Sequence, residues 1–270
     1  MTLQEQVRKA FGRHAGTYEQ RANLQRAVAW RLARHCRELP LVAGPCADLG
    51  AGSGLLSRAV QQLRPSLQPL RLDLCAELLQ QGARGGTESL LWDLNTGLPP
   101  RLENASLLVS SFALQWLERP QDQLEHWCRR LAPGGWLVLA VPTAGSFPQW
   151  LQAAAQTRGP CSALPLPEAG ALVHGAQRHL TLTAQRRLRF SRFAPTALTF
   201  LRQIQALGAG STPAAPLTPG QWRRLEAAWP TEPALSPAGR PRKRLTWEVL
   251  VLIGQRPAPS LRRQAGAVAS

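Results

Sequence analysis

The 270-residue chain is poor in acidic residues, in lysine and in long apolar segments. It has 16 Asp and Glu against 32 Lys and Arg, a formal charge of +16, and its only lysines are Lys9 and Lys243. No apolar run approaches the ~18–20 residues that a membrane span requires. Residues 1–11 are polar and charged, which disfavours a cleaved secretion signal. We therefore expect a cytoplasmic protein.

Cysteine is also scarce, and its spacing excludes two common uses. The chain has five cysteines, an odd number, spread widely and without a C-x-x-C pair. They are Cys36, Cys46, Cys75, Cys128 and Cys161. This pattern is typical of reduced thiols and indicates neither a disulfide scaffold nor a zinc site, so no metal is expected.

The excess of arginine indicates the chemistry of a partner. A surface of this charge attracts nucleic acid, anionic lipid or an acidic protein. No signature of a nucleic-acid-reading module accompanies the charge, which disfavours nucleic acid. An apolar content of 44% is enough for a buried core and excludes a chain that is disordered throughout.

Helical and strand patterns alternate along the first half of the chain. Helices are predicted at residues 23–39, 53–63, 76–82 and 121–131, and strands at 45–49, 70–73, 90–93, 106–111 and 136–141. This alternation predicts an α/β fold with a parallel, doubly wound sheet. Beyond residue 146 the pattern predicts helices at 147–156, 195–207 and 219–229, strands at 180–190 and 245–253, and a disordered basic tail at 257–270.

A glycine-rich loop follows the first predicted strand. Gly50, Gly52 and Gly54 lie at a strand-to-helix turn, where glycine lets a ligand approach the main chain closely. Leu55 stands where the dinucleotide fingerprint requires a small residue, whereas Asp48 leads a D-x-G-x-G-x-G pattern. An ordinary tight turn is the alternative, but two downstream acids in register favour a cofactor.

Those two acids end the next two predicted strands. Asp73 is placed to accept both hydroxyls of a ribose, and Asp93 to accept an adenine amino group, because open α/β sheets bind ligands at the carboxyl ends of their strands. The alternatives are helix capping for Asp73 and simple turn chemistry for Asp93.

These motifs resemble those of the class I S-adenosylmethionine-dependent methyltransferases. Residues 48–54 resemble their first motif, and residues 131–135 are similar to the turn before their fifth strand. The resemblance implies a Rossmann-like methyltransferase sheet with a small helical cap, and S-adenosyl-L-methionine as cofactor. The residues that it implies for cofactor binding are Asp48, Gly50, Ala51, Gly52, Asp73, Leu74, Asp93, Leu94 and Ser111.

The flanking segments narrow the resemblance to the malonyl-[acyl-carrier protein] O-methyltransferases of biotin synthesis. Segments similar to that family occur, in the same order, at residues 7–18, 24–26, 110–116, 145–148, 201–209, 217–222 and 245–248. Ala105 and Ser106 replace a Phe-Asp pair of the family, and residues 159–168 are unusually rich in proline. The implied organisation is one domain over residues 1–256, with an N-terminal helical lid at 1–40, a cofactor-binding core at 45–142, and a cap with C-terminal strands at 146–256.

The resemblance implies methylation of the free carboxylate of a malonyl thioester on an acidic acyl carrier protein, giving the methyl ester that primes pimeloyl synthesis. A carboxylic acid of pKa ~4 is already ionised at pH 7, so no general base is expected. Arg202 is our candidate for positioning the substrate carboxylate, and Tyr18, the only tyrosine, for a hydrogen bond from the lid. A solvated arginine and a packing tyrosine are the structural alternatives.

Other functions remain open at this point. The same fold acting on a small acid, a quinone precursor or tRNA is one alternative. A non-catalytic, arginine-rich nucleic-acid-binding protein is another, and it predicts strongly salt-dependent binding without cofactor affinity.

Overall fold

Helices and strands alternate in the structure as the sequence predicts. The structure, a computed structural model, describes residues 2–82, 87–159, 161–212, 214–233 and 241–258. The helices are α1 (Leu3–Arg21), α2 (Asn23–Cys36), α3 (Leu55–Leu63), α4 (Ala76–Gln81), α5 (Pro120–Arg130), α6 (Pro148–Gln156), α7 (Ala169–Gln177), α8 (Ala197–Ala206) and α9 (Pro219–Ala228). The strands are β1 (Cys46–Leu49), β2 (Leu70–Asp73), β3 (Ser89–Leu91), β4 (Ala105–Ser111), β5 (Leu131–Pro142), β6 (Thr181–Ala194), β7 (Thr231–Glu232) and β8 (Arg242–Gln255).

One sheet organises these elements in the order β3-β2-β1-β4-β5-β8-β6, and β7 pairs with β8. β1 to β5 are parallel, and the chain order reverses between β1 and β4. β8 runs antiparallel to both β5 and β6. The predicted doubly wound α/β sheet is confirmed. The reversal between β1 and β4 is where ligands bind in open sheets of this kind.

Helices cover both faces of this sheet. On one face, Leu124 and Trp127 of α5 and Leu172 of α7 pack with Leu137 and Leu139 of β5. On the other face, α2 and α3 pack against Val138 and Ala140. Because β5 is buried on both faces, it is a continuous apolar run instead of an alternating one.

A third cluster joins the helical cap to the C-terminal strand. Trp150 of α6, Phe200 of α8 and Trp229 pack together, with ring centroids 6.1 Å apart for both Trp150–Trp229 and Phe200–Trp229. Leu245 of β8 belongs to the same cluster. The cap is therefore held to the sheet by its own apolar core.

Several predicted boundaries are wrong by a few residues. The second helix ends at Cys36, before residue 39, and β5, β6 and β8 each extend beyond the predicted strands. β3 ends at Leu91, because Asp93 begins a short 3₁₀ turn in place of ending the strand. α7 was not predicted, since its short apolar segment contains Gly170 and Gly175, both unfavourable in helices. Most of the predicted tail, residues 259–270, lies outside the described residues.

All five cysteines are free thiols. Within the described part of the chain, no helix is both long and apolar enough to cross a membrane.

Candidate active site

The glycine loop connects β1 to α3 and is held against the end of β2. Gly50, Gly52 and Gly54 all have positive φ, at 70°, 53° and 84°. The N–H groups of Gly50 and Ala51 both donate to the carbonyl of Leu72 at 2.9 Å. A Cβ on Gly50 would lie 2.1 Å from the Cβ of Ala113, so a side chain at this position is excluded.

Asp73 bridges the loop to the start of α4. Its Oδ2 accepts from the Gly52 N–H at 2.8 Å, and its Oδ1 from the Cys75 N–H at 2.8 Å. Burial raises the pKa of this carboxyl, and the backbone donors partly oppose the rise. Each carboxylate oxygen retains a second lone pair, so Asp73 can still accept hydroxyl groups from a ligand.

Asp48 lies below the loop and is almost completely buried. Its Oδ2 accepts from both the N–H and the hydroxyl of Ser57, at 3.0 and 2.6 Å, while its Oδ1 has no partner among the described residues. Desolvation by burial raises the pKa of Asp48 to about 6, although the Ser57 hydrogen bonds oppose this. The loop therefore lies against a buried carboxyl group of which only one oxygen is hydrogen-bonded within the described residues.

A cavity of about 120 Å³, here called the glycine cleft, opens beside the loop. All nine residues predicted to bind cofactor line it: Asp48, Gly50, Ala51, Gly52, Asp73, Leu74, Asp93, Leu94 and Ser111. Ser111 ends β4, and its buried hydroxyl has no partner among the described residues. Asp93 uses one oxygen to accept from the backbone and side-chain amides of Asn95. Asp93 thus makes the hydrogen bonds of a turn and also lines the glycine cleft.

A second cavity of about 610 Å³, here called the arginine cavity, adjoins the glycine cleft. It is bounded by α1, α8, the turn after β4 and the β6–β8 ribbon, and it contains Arg21, Arg192 and Arg202. Among the described residues that line it there is no aspartate or glutamate. A cavity with three cations and no acid favours an anionic ligand.

The two cavities meet at a set of residues that line both. The shared residues are Phe11, Tyr18, Gln25, Phe112 and Trp116, here called the junction. Their aromatic rings pack edge to face, with centroids 5.7 Å apart for Phe11–Trp116 and 6.1 Å for Phe11–Tyr18. Phe112 has φ 56°, a conformation that costs a non-glycine residue energy and is concentrated at functional sites.

The two residues predicted to position substrate both line the arginine cavity, Tyr18 from α1 and Arg202 from α8. Tyr18 of α1 is half-buried at the junction, and burial, with smaller contributions from Asp73 and Glu19, raises the pKa of its hydroxyl. It is therefore a neutral hydrogen-bond donor at physiological pH. Arg202 on α8 is exposed, and its side chain forms no hydrogen bond or ion pair with another described residue.

Sequence reasoning missed part of this site. Phe11 and Gln25 lie inside segments that matched the family, but nothing in their spacing indicated a shared wall between two cavities. Arg192 was not singled out, because its place in the cavity depends on the register of β6 with β8. The positive φ of Phe112 likewise has no signal in sequence.

Comparison with known proteins gives the class of this site. Residues 47–139 match the family model described as Methyltransferase domain. This part of the chain is an S-adenosylmethionine-dependent methyltransferase domain. The match spans β1 to β5 and includes the glycine loop, Asp73 and Asp93, and it confirms the predicted fold, domain class and cofactor.

Individual relatives agree on this domain and differ in substrate. A malonyl-[acyl-carrier protein] O-methyltransferase of Alcanivorax borkumensis is 38% identical over 146 residues, which are 52% of this chain and 49% of that protein. A trans-aconitate 2-methyltransferase of Mycobacterium tuberculosis is 32% identical over 100 residues, 37% of each chain. The matches thus span about half the length of these curated relatives, or less.

A solved structure supports the fold. The N-methyltransferase NodS from Bradyrhizobium japonicum, in complex with S-adenosyl-L-homocysteine, has a TM-score of 0.55 at 12% identity, covering 93% of this chain and 98% of that one.

The glycine cleft fits the cofactor chemically. The orphaned oxygens of Asp48 and Ser111 are buried polar atoms in the wall of the cleft, among the described residues. A Cβ at Gly52 would meet nothing nearer than a Leu78 methyl carbon at 3.7 Å, so the main chain there is open to a ligand. Carboxylate acceptors, an open stretch of main chain and apolar leucines together form the mixed polar and apolar surface that a nucleoside requires.

Proposed function

We propose that this protein transfers a methyl group from S-adenosylmethionine to the free carboxylate of a malonyl thioester carried by acyl carrier protein. The observation that carries the proposal is the arginine cavity, which joins the glycine cleft and contains three arginines and no acid among its described lining residues. The methyl ester formed in this way would prime pimeloyl synthesis for biotin.

The chemistry requires positioning more than proton transfer. The cofactor supplies an activated methyl group, and the substrate carboxylate, with pKa ~4, is already ionised at neutral pH. No histidine, aspartate or glutamate lies at the junction, and none is needed there. Holding the reacting oxygen in line and excluding water contributes ~7–11 kcal/mol in favourable cases.

Each site residue has a proposed role on this basis. Asp73 accepts the ribose hydroxyls, Asp93 the adenine amino group through its remaining oxygen, and the Gly50–Gly52 main chain lies against the amino acid part of the cofactor. Leu74 and Leu94 provide apolar contacts, and the Ser111 hydroxyl and Asp48 provide polar ones. Tyr18 donates to the substrate carboxylate at the junction, and Arg202 attracts it from the mouth of the arginine cavity.

We propose that α1 acts as a lid within one domain over residues 1–256. Gln4, Val7 and Phe11 of α1 line the glycine cleft, whose volume of about 120 Å³ is below the ~300–1,000 Å³ of typical ligand pockets. Cofactor entry therefore requires α1 to move outward, and its return excludes water from the junction. In this arrangement, residues 45–142 are the cofactor-binding core and residues 146–256 the cap with the C-terminal strands.

Two segments of the family resemblance support the malonyl assignment within the class. Residues 145–148 and 245–248, far apart in sequence, contact each other: Ser146 Oγ donates to the Glu248 carbonyl at 3.0 Å and accepts from its N–H at 2.9 Å. Phe147 and Trp247, from the same segments, both line the arginine cavity, with ring centroids 5.6 Å apart. The segments thus form a wall of the arginine cavity, which on this proposal would hold the substrate.

The test is a methyl-transfer assay with labelled S-adenosylmethionine. Acceptors are malonyl-acyl carrier protein, malonyl-CoA, free malonate, trans-aconitate and bulk tRNA. We expect transfer to the malonyl thioesters and a base-labile ester product, with malonyl-acyl carrier protein giving the highest kcat/KM. Transfer to trans-aconitate alone would replace the proposal with a small-acid methyltransferase, and transfer to tRNA alone would place the substrate among nucleic acids.

A further inference from the structure

The arginine cavity extends well beyond the junction, along the ribbon formed by β6 and β8. At the junction, the Phe112 N–H donates to the carbonyl of Ala140 in β5 at 2.9 Å. At the far end lies Arg192 of β6, and both residues line the same cavity. The distance between these two points sets the length of the ligand that the cavity can take.

Strand register gives that distance. Ala140 of β5, which accepts from the Phe112 N–H, pairs with Val251 of β8, whereas Arg192 pairs with Leu245, six residues nearer the start of β8. At ~3.3 Å per residue and ~4.8 Å per strand, the Arg192 backbone lies ~20 Å from Ala140 along the strands and ~10 Å across them. Arg192 therefore cannot bind the carboxylate that reacts at the junction.

Arg192 is nonetheless arranged as a ligand-binding residue. It is half-buried and lies on a strand paired along its length with β8, and its side chain forms no hydrogen bond or ion pair with another described residue. Arg21, by contrast, donates to the Ala206 carbonyl at 2.8 Å, and Arg202 is exposed. A half-buried arginine in a cavity without described acids lacks the anion that normally accompanies its guanidinium.

We infer that Arg192 binds a second anionic group of the substrate, the phosphate on the arm that carries the malonyl thioester. The inference rests on the proposed function, because that substrate has its reacting carboxylate at one end of a long arm and a phosphate at the other. The carboxylate lies at the junction, the apolar part of the arm passes Trp247, and the phosphate meets Arg192. Free malonate and aconitate are too short to reach both ends.

The test compares ligands that differ only in the phosphate. The full-length chain saturated with S-adenosylhomocysteine is titrated calorimetrically with 4′-phosphopantetheine and with pantetheine. We expect wild type to bind the phosphorylated ligand about tenfold more tightly or better, as for a charge-assisted contact, and Arg192→Gln to reduce this ratio to about one. Arg192→Lys retains part of the preference.

The matched control is Arg187→Gln. Arg187 is exposed on the same strand, lies outside both cavities, and faces the opposite side of the sheet because strand side chains alternate. It should keep the wild-type ratio. A wild-type ratio of one, an undiminished ratio in Arg192→Gln, or an equal loss in Arg187→Gln would overturn the inference.

Methyl transfer to malonyl-phosphopantetheine and malonyl-pantetheine separates this inference from the proposed function. If wild type methylates both and Arg192→Gln keeps the phosphate preference, only the role of Arg192 fails. If wild type methylates neither while Arg192→Gln loses the phosphate-dependent binding, the malonyl assignment fails and the anion site stands.

Discussion

Asp73 performs two tasks with one carboxylate. It fixes the glycine loop through the Gly52 N–H and the start of α4 through the Cys75 N–H, and it forms part of the wall of the glycine cleft. Cys75 occupies the N-cap position of α4, so the capping alternative for Asp73 is wrong. Its two backbone hydrogen bonds are compatible with ligand binding, since each carboxylate oxygen retains a lone pair.

Removal of the Asp73 carboxylate tests its part in cofactor binding. Asp73→Ala should weaken S-adenosylhomocysteine binding by ~2–4 kcal/mol, because ligand hydroxyls lose their acceptor and the loop loses its support. Calorimetric titration measures the change. Asp122→Ala, which removes an exposed acid of α5 outside both cavities, should bind like wild type. Equal affinities in all three proteins would remove Asp73 from the cofactor site.

Asp48 gives a pH dependence of folding stability. Its pKa is about 6 in the folded chain against an ordinary value of 3.8, so the folded state holds this proton more tightly than the unfolded state. The protonated carboxyl therefore stabilises the fold fully below pH 3.8. This contribution to the free energy of unfolding, about 2–3 kcal/mol in total, is lost as the pH rises toward about 6. Asp48→Asn keeps an oxygen to accept from Ser57 and carries no charge.

Chemical denaturation at several pH values tests this. The free energy of unfolding of wild type, relative to Asp48→Asn, should fall as pH rises through that window and then level off. Asp122→Asn, at an exposed site, serves as the control for general charge effects. A constant difference between wild type and Asp48→Asn would show that the buried carboxyl is not coupled to folding.

The contributions of the Tyr18 ring and of its hydroxyl can be measured separately. Tyr18→Phe keeps the packing against Phe11 and removes a hydroxyl that has no hydrogen-bond partner among the described residues. Melting temperature and cofactor affinity should stay near wild type, while kcat/KM falls about 10- to 100-fold through loss of a hydrogen bond to an anionic substrate. An unchanged kcat/KM would restrict Tyr18 to a packing role.

At the scale of elements, the chain after β5 is fastened to β8 by buried polar groups. Besides the two bonds of Ser146, Gln149 Nε2 donates to Thr246 Oγ1 at 3.0 Å, and Gln149 Oε1 accepts from the Thr246 N–H at 3.1 Å. Thr143 Oγ1 donates to the Glu248 carboxylate at 2.8 Å. The cap is thereby fixed in position relative to the sheet.

Ser146→Ala should destabilise the fold by about 1–3 kcal/mol, because it leaves the buried Glu248 N–H without its acceptor. Denaturant unfolding measures this loss. Ser89→Ala, at an exposed position of β3, removes a hydroxyl from the surface and should be nearly neutral. If the two variants have the same stability, the network does not hold the cap.

The same elements show how far sequence reasoning reaches. β2 agrees residue for residue with its prediction, because an apolar segment ending in an acid and followed by a helix is a strong local signal. The 3₁₀ turn at Asp93 and the extra length of β6 and β8 depend on pairing between distant segments. The cofactor residues could therefore be predicted from local motifs, whereas the junction and Arg192 could not.

At the scale of the molecule, the basic surface is divided between the two faces of the sheet. Arg186 lies near His35 of α2, whose pKa is lowered by burial and then by Arg31 and Arg186. Arg189 faces the other side, with its Nη2 3.8 Å from Glu248 Oε2. The arginines at 186, 187 and 189 are thus not one patch, because strand alternation separates them. The charge of this strand is therefore spread over both faces of the sheet.

A net positive charge acts on an acidic partner over a long range. With a formal charge of +16, the protein should attract acyl carrier protein in a salt-dependent way, since screening shortens the range to ~10 Å at 0.1 M ionic strength and ~3 Å at 1 M. Methyl transfer measured from low to high salt should show kcat/KM for malonyl-acyl carrier protein falling about tenfold or more through a rise in KM. Malonyl-pantetheine, which is small and carries one charge, should respond far less. Equal salt dependence for both substrates would mean that the arginine-rich surface does not guide the carrier to the cavity.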